Sequence, residues 1–409
     1  MGRFTTIARA FLAVFAVSVS GMMAHAEPIE SFDSFLEGFE RQAVEAGISR
    51  DVYRRATAGL VQRSNIPGLV RTQPEFTTPM WDYLEGRVSA GRIARGRKAM
   101  AAHKTLFDRI GKTYGVDPAI LGAMWGMETD YGAVLGNKAL ITPIIRSLAT
   151  LVHQRRGRLK ADEKELIAAL RLIQDKGWSA QSLVGSWAGA VGHTQVIASG
   201  LLAHGTDGDD DGIINPHLSL ADALATSAVF LRALGYQSGS DWGFEVEVPK
   251  GFDFTLATRR EMKPIGFFSD RGVKRVKGRQ FADLELPVFL YVPTGKNGPI
   301  FLMTQNYLVL KSYNFSDSYA LSVAHLTDRL KGAGPFVSSW PKTTKFPNLE
   351  QRIAIQKLLK QLGYYDGKVD GRVGPISQEA YQKFQAAQGV IADGFITLRS
   401  YELLRQFVR

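Results

Sequence analysis

The 409-residue sequence predicts an α+β fold that is predominantly α: a large helical unit with a small β-containing segment, then a small three-helix C-terminal module. Three observations carry this. Apolar residues recur at helical spacing through most of residues 28–176. Strand-like alternation and short apolar runs between Gly/Pro turns are confined to Asp241–Tyr319. A short Pro-bracketed linker, 341–346, then precedes a tail (347–409) with three more helical patterns.

Residues 1–26 have the form of a secretory signal peptide. Arg3 and Arg9 make a basic start, Phe11 to Met23 is apolar, and Ala24-His25-Ala26 fits a small-x-small cleavage site. The apolar run is short for a membrane span, and no later stretch is long and apolar enough for a transmembrane segment. There is no cysteine, hence no disulfide and no lipid-bearing N-terminal Cys. The mature chain is expected to be exported and soluble. Without the signal, 48 basic and 39 acidic side chains leave a net charge of +9. Such a charge suits an anionic polymer or a membrane surface. Export, and the lack of a basic recognition helix or aromatic-laced groove motif, argue against nucleic acid.

In chain order, Ser31-Phe32 opens a helix with Phe32, Phe35, Leu36 and Phe39 on one face, closed by Gly47. Pro74 to Ala90 carries Phe76, Trp81, Tyr83 and Leu84; such rings pack cores, and they also floor sugar sites. A basic helix is expected over 92–115. Asp117-Pro118 then starts the stretch that organises the chain, because Asp caps free N–H groups and Pro is pre-set for the first helical position. Ile120, Leu121, Met124 and Met127 follow at helical spacing, with Gly132 as the expected stop. Glu128 interrupts the apolar stripe. Apolar neighbours and the negative end of the helix dipole should both raise its pKa, as a general acid near neutral pH requires. A solvated Glu on a surface helix is the competing reading.

Helical patterns at 141–153 and 162–176 lead to Gly185-Ser186-Trp187-Ala188-Gly189-Ala190-Val191-Gly192-His193-Thr194-Gln195. Small residues at this density allow close approach of a backbone or of a ligand, and Ser186 and Gln195 can bond a hydroxyl- or amide-rich one. Asp207-Gly208-Asp209-Asp210-Asp211-Gly212-Ile213 matches the first seven positions of a calcium loop, with acids at 1, 3 and 5 and a carbonyl from Ile213. Leu218 stands where the closing acid belongs, and Asp222 is placed to close a longer loop. A solvated acidic turn is the alternative. Strands are expected at 244–248, 287–292 and 300–303, then a dense run of ring and polar groups from Tyr313 to Tyr319.

At these residues the chain resembles the lytic murein transglycosylases of the membrane-bound B type, over essentially all of residues 28–340. Glu128-Thr129 with Tyr131-Gly132 matches the family's E-T-x-Y-G, and S-W-A-G-A with G-H-T-Q matches its second signature. The acidic loop and the Tyr-Asn-x-Ser stretch at 313–316 follow in order. The tail is similar to a peptidoglycan-binding module, through its Gly363-Tyr364-Tyr365-Asp366-Gly367 turn, Asp370-Gly371 and the Phe384-Gln385 pair.

The resemblance implies a lysozyme-like catalytic domain (27–340) in the periplasm and a peptidoglycan-binding domain (347–409). It implies non-hydrolytic cleavage of the β-1,4 MurNAc–GlcNAc bond of glycan strands, leaving a 1,6-anhydro end. Cell-wall synthesis or remodelling proteins are implied as partners. Glu128 falls at the catalytic acid, and Tyr83, Ser186, Gln195, Tyr313, Asn314 and Tyr319 at positions that contact glycan or support it. No cofactor is required for the chemistry; the loop through Asp207, Asp209, Asp211, Ile213 and Asp222 corresponds to a structural calcium site. The family commonly follows its Gln with an aromatic and, two places on, a Pro. Here Val196 and Ala198 stand there, which puts that groove wall in question.

The chemistry agrees. Ordinary glycoside hydrolysis uses two flanking carboxylates, and substrate assistance is its admitted exception. The nearest acid in sequence, Asp130, falls on another helix face. A hydrolytic muramidase and a non-catalytic wall-binding protein are the competing functions.

Overall fold

The computed structural model describes residues 30–63, 78–154 and 159–408. The expected signal segment and Phe76 lie outside these residues. Ser31, Ser49 and Ser89 cap the helices Phe32–Glu45, Arg50–Thr57 and Ala90–Ala102 with their hydroxyls, each accepting from a backbone N–H of the first turn. Helix Met80–Arg87 buries Trp81, Tyr83 and Leu84. The single helix expected over 92–115 is two. Ala90–Ala102 ends at His103, whose φ of −114° is not helical, and Lys104–Tyr114 turns Phe107 and Ile110 inward.

The helix Pro118–Thr129 begins as its sequence demands: the Asp117 carboxylate accepts from Ala119 N at 2.8 Å, and Pro118 occupies the first position. It is not amphipathic. Residues 119–127 are all buried, so the helix runs through the core and not along its surface. Gly122 and Gly126 permit this: a Cβ on the first would meet Met100 Sδ at 2.4 Å, and on the second the Tyr131 ring at 2.5 Å. The helix also stops earlier than expected. Thr129 is its last residue, and Asp130, Tyr131 and Gly132 all take positive φ. This reversal folds the Tyr131 ring back over Gly126 and against Gly96.

Two helical cores meet at the acid. One surrounds Pro118–Thr129 and includes helices Leu220–Ala233 and Asp317–Leu330; the other joins the N-terminal helices to Ile144–Gln154 and Leu159–Lys176. Tyr313, on helix Gln305–Asn314, packs against both. The second core also takes in Val191 and Val196 of a small antiparallel sheet, Thr142–Pro143, Val184–Gly185, Ala190–Val191 and Val196–Ile197, whose two-residue strands are too short for periodicity to reveal.

The expected β segment is a five-stranded antiparallel sheet ordered Lys263–Pro264, Pro287–Tyr291, Ile300–Met303, Gly243–Glu247, Lys274–Arg275. Its central strands explain their own sequence. Phe289, Tyr291, Phe301 and Met303 face the main core, while Val288, Leu290, Ile300 and Leu302 fill a second cluster on the other face. A strand buried on both sides reads as a continuous apolar run.

The tail forms three helices, Leu349–Gln361, Pro375–Ala387 and Leu398–Leu404, around Tyr365, Tyr381 and Phe384. Fully buried Gln356 organises it. Its Oε1 accepts from Asp370 N and Gly371 N, and its Nε2 donates to Tyr365 Oη, Arg372 O and Ser377 Oγ. Gly371 sits at φ 74° against Leu349, where a side chain would clash at 2.5 Å. The fold is thus predominantly helical with small sheets, as the sequence predicts. Among the described residues, no helix is long and apolar enough to cross a membrane.

Candidate active site

Glu128 occupies the last turn of Pro118–Thr129, half-buried where that helix packs on Asp317–Leu330. The Tyr319 hydroxyl donates to Glu128 Oε1 at 2.5 Å. Tyr319 stacks on Tyr313, with ring centroids 6.5 Å apart and planes 6° apart, and the Tyr313 hydroxyl donates to Thr194 O at 2.6 Å. Burial, followed by the Glu128 charge, raises the pKa of both phenols, so both remain protonated donors. Tyr83 is buried beside them, close enough that its phenol adds to the rise in the Tyr319 pKa.

The segment 186–195 reaches this cluster through its backbone. Thr129 Oγ1 donates to His193 O at 2.7 Å, and Trp125 Nε1 donates to His193 Nδ1 at 3.0 Å. Gln195 has a φ of 52°, and its side-chain amide donates to Gly192 O at 2.9 Å, fixing the turn. A non-glycine residue held left-handed in a site is strain stored where orientation matters. Ser186 closes the preceding hairpin: its Oγ accepts from Ala190 N at 3.3 Å and its N donates to Ala190 O at 2.8 Å. Asn314 ends helix Gln305–Asn314 directly after Tyr313, half-buried. Glu128, Tyr319, Tyr313 and Tyr83 therefore come together, and Gln195 joins them through Thr194 and His193. Asn314 directly follows Tyr313, and Ser186 lies nine residues before Gln195, across the hairpin it forms with Ala190.

Val196 and Ala198, where the groove wall was in question, are 1% and 0% exposed, so both point into the core and neither lines a groove; Ile197 between them faces out.

The carboxylates two residues from Glu128 and two residues from Tyr319 are both engaged. Asp130 lies past the helix end, with Oδ1 3.3 Å from Arg92 Nε and 2.9 Å from Arg95 Nη2. Asp317 binds Arg259 Nη1 at 2.7 Å, Lys311 Nζ at 2.8 Å and the Tyr307 hydroxyl at 2.9 Å. Burial would raise each carboxyl, but the paired cations hold both below the usual carboxylate value. Sequence reasoning missed the Asp317 cluster and the Trp125–His193 bond. Nothing local signals either.

In the acidic loop, carboxylate oxygens of Asp207, Asp209 and Asp211 lie within 4.8 Å of one another. Asp207 also accepts from the backbone N–H groups of Asp209, Asp210 and Gly212, which hold its pKa down. Asp222 is placed differently. It is fully buried, stands outside the three-acid group, and accepts from Gly208 N at 2.8 Å and Asn215 N at 2.6 Å. It pins both ends of the loop. Ile213, exposed, follows Asp211 with its N–H on the Asp211 carboxylate.

The Transglycosylase SLT domain family matches residues 31–328, and the Putative peptidoglycan binding domain family matches 348–404. Membrane-bound lytic murein transglycosylase B of Escherichia coli (strain K12) is 24% identical over 295 residues, 71% of this chain and 78% of that protein. SltB3 from Pseudomonas aeruginosa, solved in complex with NAG-anhNAM-pentapeptide, has a TM-score of 0.84 at 37% identity, covering 92% of this chain and 100% of that one. The Escherichia coli lytic transglycosylase SLT35, solved in complex with calcium, shares the fold at a TM-score of 0.59 and 20% identity, covering 73% of this chain and 92% of that one. The chain belongs to the Transglycosylase SLT family of peptidoglycan lytic transglycosylases.

Proposed function

We propose that Glu128 is the sole catalytic acid and base of an exported, periplasmic lytic transglycosylase that cleaves the β-1,4 MurNAc–GlcNAc bond to a 1,6-anhydroMurNAc end. The observation that carries this is the state of the neighbouring carboxylates. Glu128 is held by a phenol donor, whereas Asp130 and Asp317 are each committed to two cations. A hydrolytic pair of the ordinary kind needs a second carboxylate across the bond, and both Asp130, two residues from Glu128, and Asp317, two residues from its phenol partner Tyr319, are spent.

Glu128 protonates the glycosidic oxygen and the C1–O bond breaks. The substrate's acetamido oxygen bonds to C1 and carries the positive charge. The Glu128 carboxylate then takes the C6 hydroxyl proton as O6 displaces the acetamido oxygen, so the acid is regenerated and no water is consumed. Ser186, Gln195, Tyr313 and Asn314, with Tyr83, are assigned to orienting the glycan, which is where most of the rate is to be gained once the acid is in place. The segment 347–409 is assigned to holding the glycan-rich wall.

The acidic loop suits a hard cation by its donor set: Asp207, Asp209 and Asp211 would hold calcium, with Ile213 supplying a carbonyl by its place in the loop. Its role there is structural.

Mass analysis of sacculus digests by wild type and Glu128→Gln tests the central claim. Anhydro ends from wild type and loss of turnover by orders of magnitude in the variant are expected. Predominantly reducing ends, one water heavier, would make the enzyme a hydrolase.

A further inference from the structure

We propose that His193 is a positioning residue that fixes Glu128 relative to the turn carrying Gln195, acting through the hydrogen bond its ring accepts from Trp125. The inference rests on Glu128 being the catalytic acid.

Trp125 and Thr129 flank Glu128, one helical turn apart. Both donate to the same residue: the indole Nε1 to His193 Nδ1 at 3.0 Å, and the hydroxyl to His193 O at 2.7 Å. The His193 N–H in turn donates to Pro216 O at 2.9 Å. His193 is therefore bonded through its ring, its carbonyl and its N–H to two other segments. Its ring is confined as well, since a Cβ at Gly132 would lie 3.1 Å from His193 Cε1 and the Trp125 ring meets it at 64°. Two residues on, Gln195 is held left-handed on Gly192. Any rotation of the last turn of the acid helix must move this turn with it.

The bond has a protonation requirement. An indole N–H only donates, so Nδ1 must be bare and the ring proton must sit on Nε2. A doubly protonated ring would set one N–H against another. The titratable groups facing the ring from neighbouring elements are His217, from the turn after the acidic loop, and His103, edge-on to Trp125 at 5.9 Å. Along the acid helix the charged groups are Glu128 and, beyond its end, Asp130 with Arg92 and Arg95. Burial first, then His217 and His103, lower the His193 pKa to about 4, which keeps the ring a competent acceptor at neutral pH.

The test is steady-state turnover of a soluble glycan fragment against pH, with thermal melts, for wild type, His193→Leu, His193→Gln, Trp125→Phe and the double variant Trp125→Phe/His193→Leu. His193→Leu should lower kcat by about tenfold or more with KM little changed, since small misplacements of a reacting group are costly. His193→Gln, whose amide oxygen can accept from Trp125, should recover most of kcat and lose the acid-side inflection near pH 4. The double variant should be no slower than His193→Leu. Wild-type kcat and acid limb in His193→Leu, or single effects that multiply in the double variant, would overturn the proposal.

Nitrogen-15 NMR of the wild-type imidazole gives a check that needs no variant to fold. An unprotonated Nδ1 at pH 7 is expected, and a protonated one contradicts the assignment. The two readings fail separately. Turnover surviving Glu128→Gln removes the acid, whereas an inert Glu128→Gln beside a wild-type-like His193→Leu removes only the positioning role.

Discussion

The Tyr319 hydroxyl donates to Glu128 Oε1 at 2.5 Å, bridging two helices 191 residues apart in the chain. Burial and the Glu128 charge raise the pKa of this phenol, so it is a protonated donor at neutral pH. Tyr319→Phe removes the donor and little volume. A hydrogen bond to a charged group contributes about 1.5–3 kcal/mol. If that orientation is realised in the transition state, kcat falls roughly 10- to 100-fold. Turnover of soluble glycan alongside a thermal melt checks this. Unchanged kcat would mean that Glu128 is aimed by other contacts.

The start of the acid helix was legible because capping is local: Asp117 and Pro118 act within two residues. Its end was not. Gly132 was the expected stop, but the helix ends at Thr129 because the Tyr131 ring must turn back onto Gly126 and distant Gly96. Strands 287–291 and 300–303 were legible because burial on both faces leaves unbroken apolar runs. Helix Gln305–Asn314 was missed, since Tyr, Asn and Ser are weak helix formers and long-range packing decides there. In the site, each residue type was readable and its partners were not. Trp125 finds His193 68 residues away, and Asp317 finds Arg259 58 residues away.

The acidic loop holds its exposed and its buried acids in different ways. Asp209 and Asp211 are exposed members of the three-acid group, while buried Asp222 bonds the loop's own backbone. Calcium should raise the Tm of the wild type, and Asp209→Asn with Asp211→Asn should remove that shift with little change in chelator. Asp222→Asn should lower Tm by several degrees even in chelator, because one of the two buried accepting oxygens becomes an NH2 set against a backbone N–H. Melts with calcium and with chelator decide it. A wild type indifferent to calcium removes the metal, and an Asp222→Asn protein of wild-type Tm in chelator removes the support role.

Stability should fall as the medium is acidified below about pH 6.5. His325 is buried with its ring 4.0 Å from Phe336; burial first, then Arg329, lower its pKa to about 4. His193 is lowered to the same value. In the unfolded chain each titrates near 6.5, so between pH 6.5 and about 4 the unfolded state binds more protons. The stability these histidines confer is complete above 6.5 and lost as pH falls through that window. Asp328 opposes them: burial raises its carboxyl to about 6, so the folded state takes up its proton first. Burial raises Asp222 and lowers His217 as well, so two carboxyls stand against three histidines and a net loss remains. Tm followed from pH 7 to 4 should drop, and His325→Leu should flatten the drop. An identical slope in the variant would show that His325 carries none of it.

The C-terminal module is fastened to the catalytic unit by contacts that avoid the acid. Phe346 lies 5.3 Å from Trp81 and 5.9 Å from Phe395; Gln382 Nε2 donates to Phe254 O at 2.8 Å; Arg260 pairs with Glu379 at 2.9 Å. Glu128, Tyr319 and Gln195, with Tyr313, Thr194 and Gly192 to which they connect, precede the linker. Deleting 347–409 should therefore leave turnover of soluble glycan within a few-fold of wild type while sharply weakening sedimentation with purified sacculi. It should also lower Tm by a few degrees, because Phe254 O loses a buried donor and the Trp81–Phe346 pair loses its cover. Loss of soluble-substrate turnover at a temperature where the truncated enzyme is still folded would tie the module to catalysis itself. The same loss accompanied by melting would instead locate its role in holding the 254–260 segment in place.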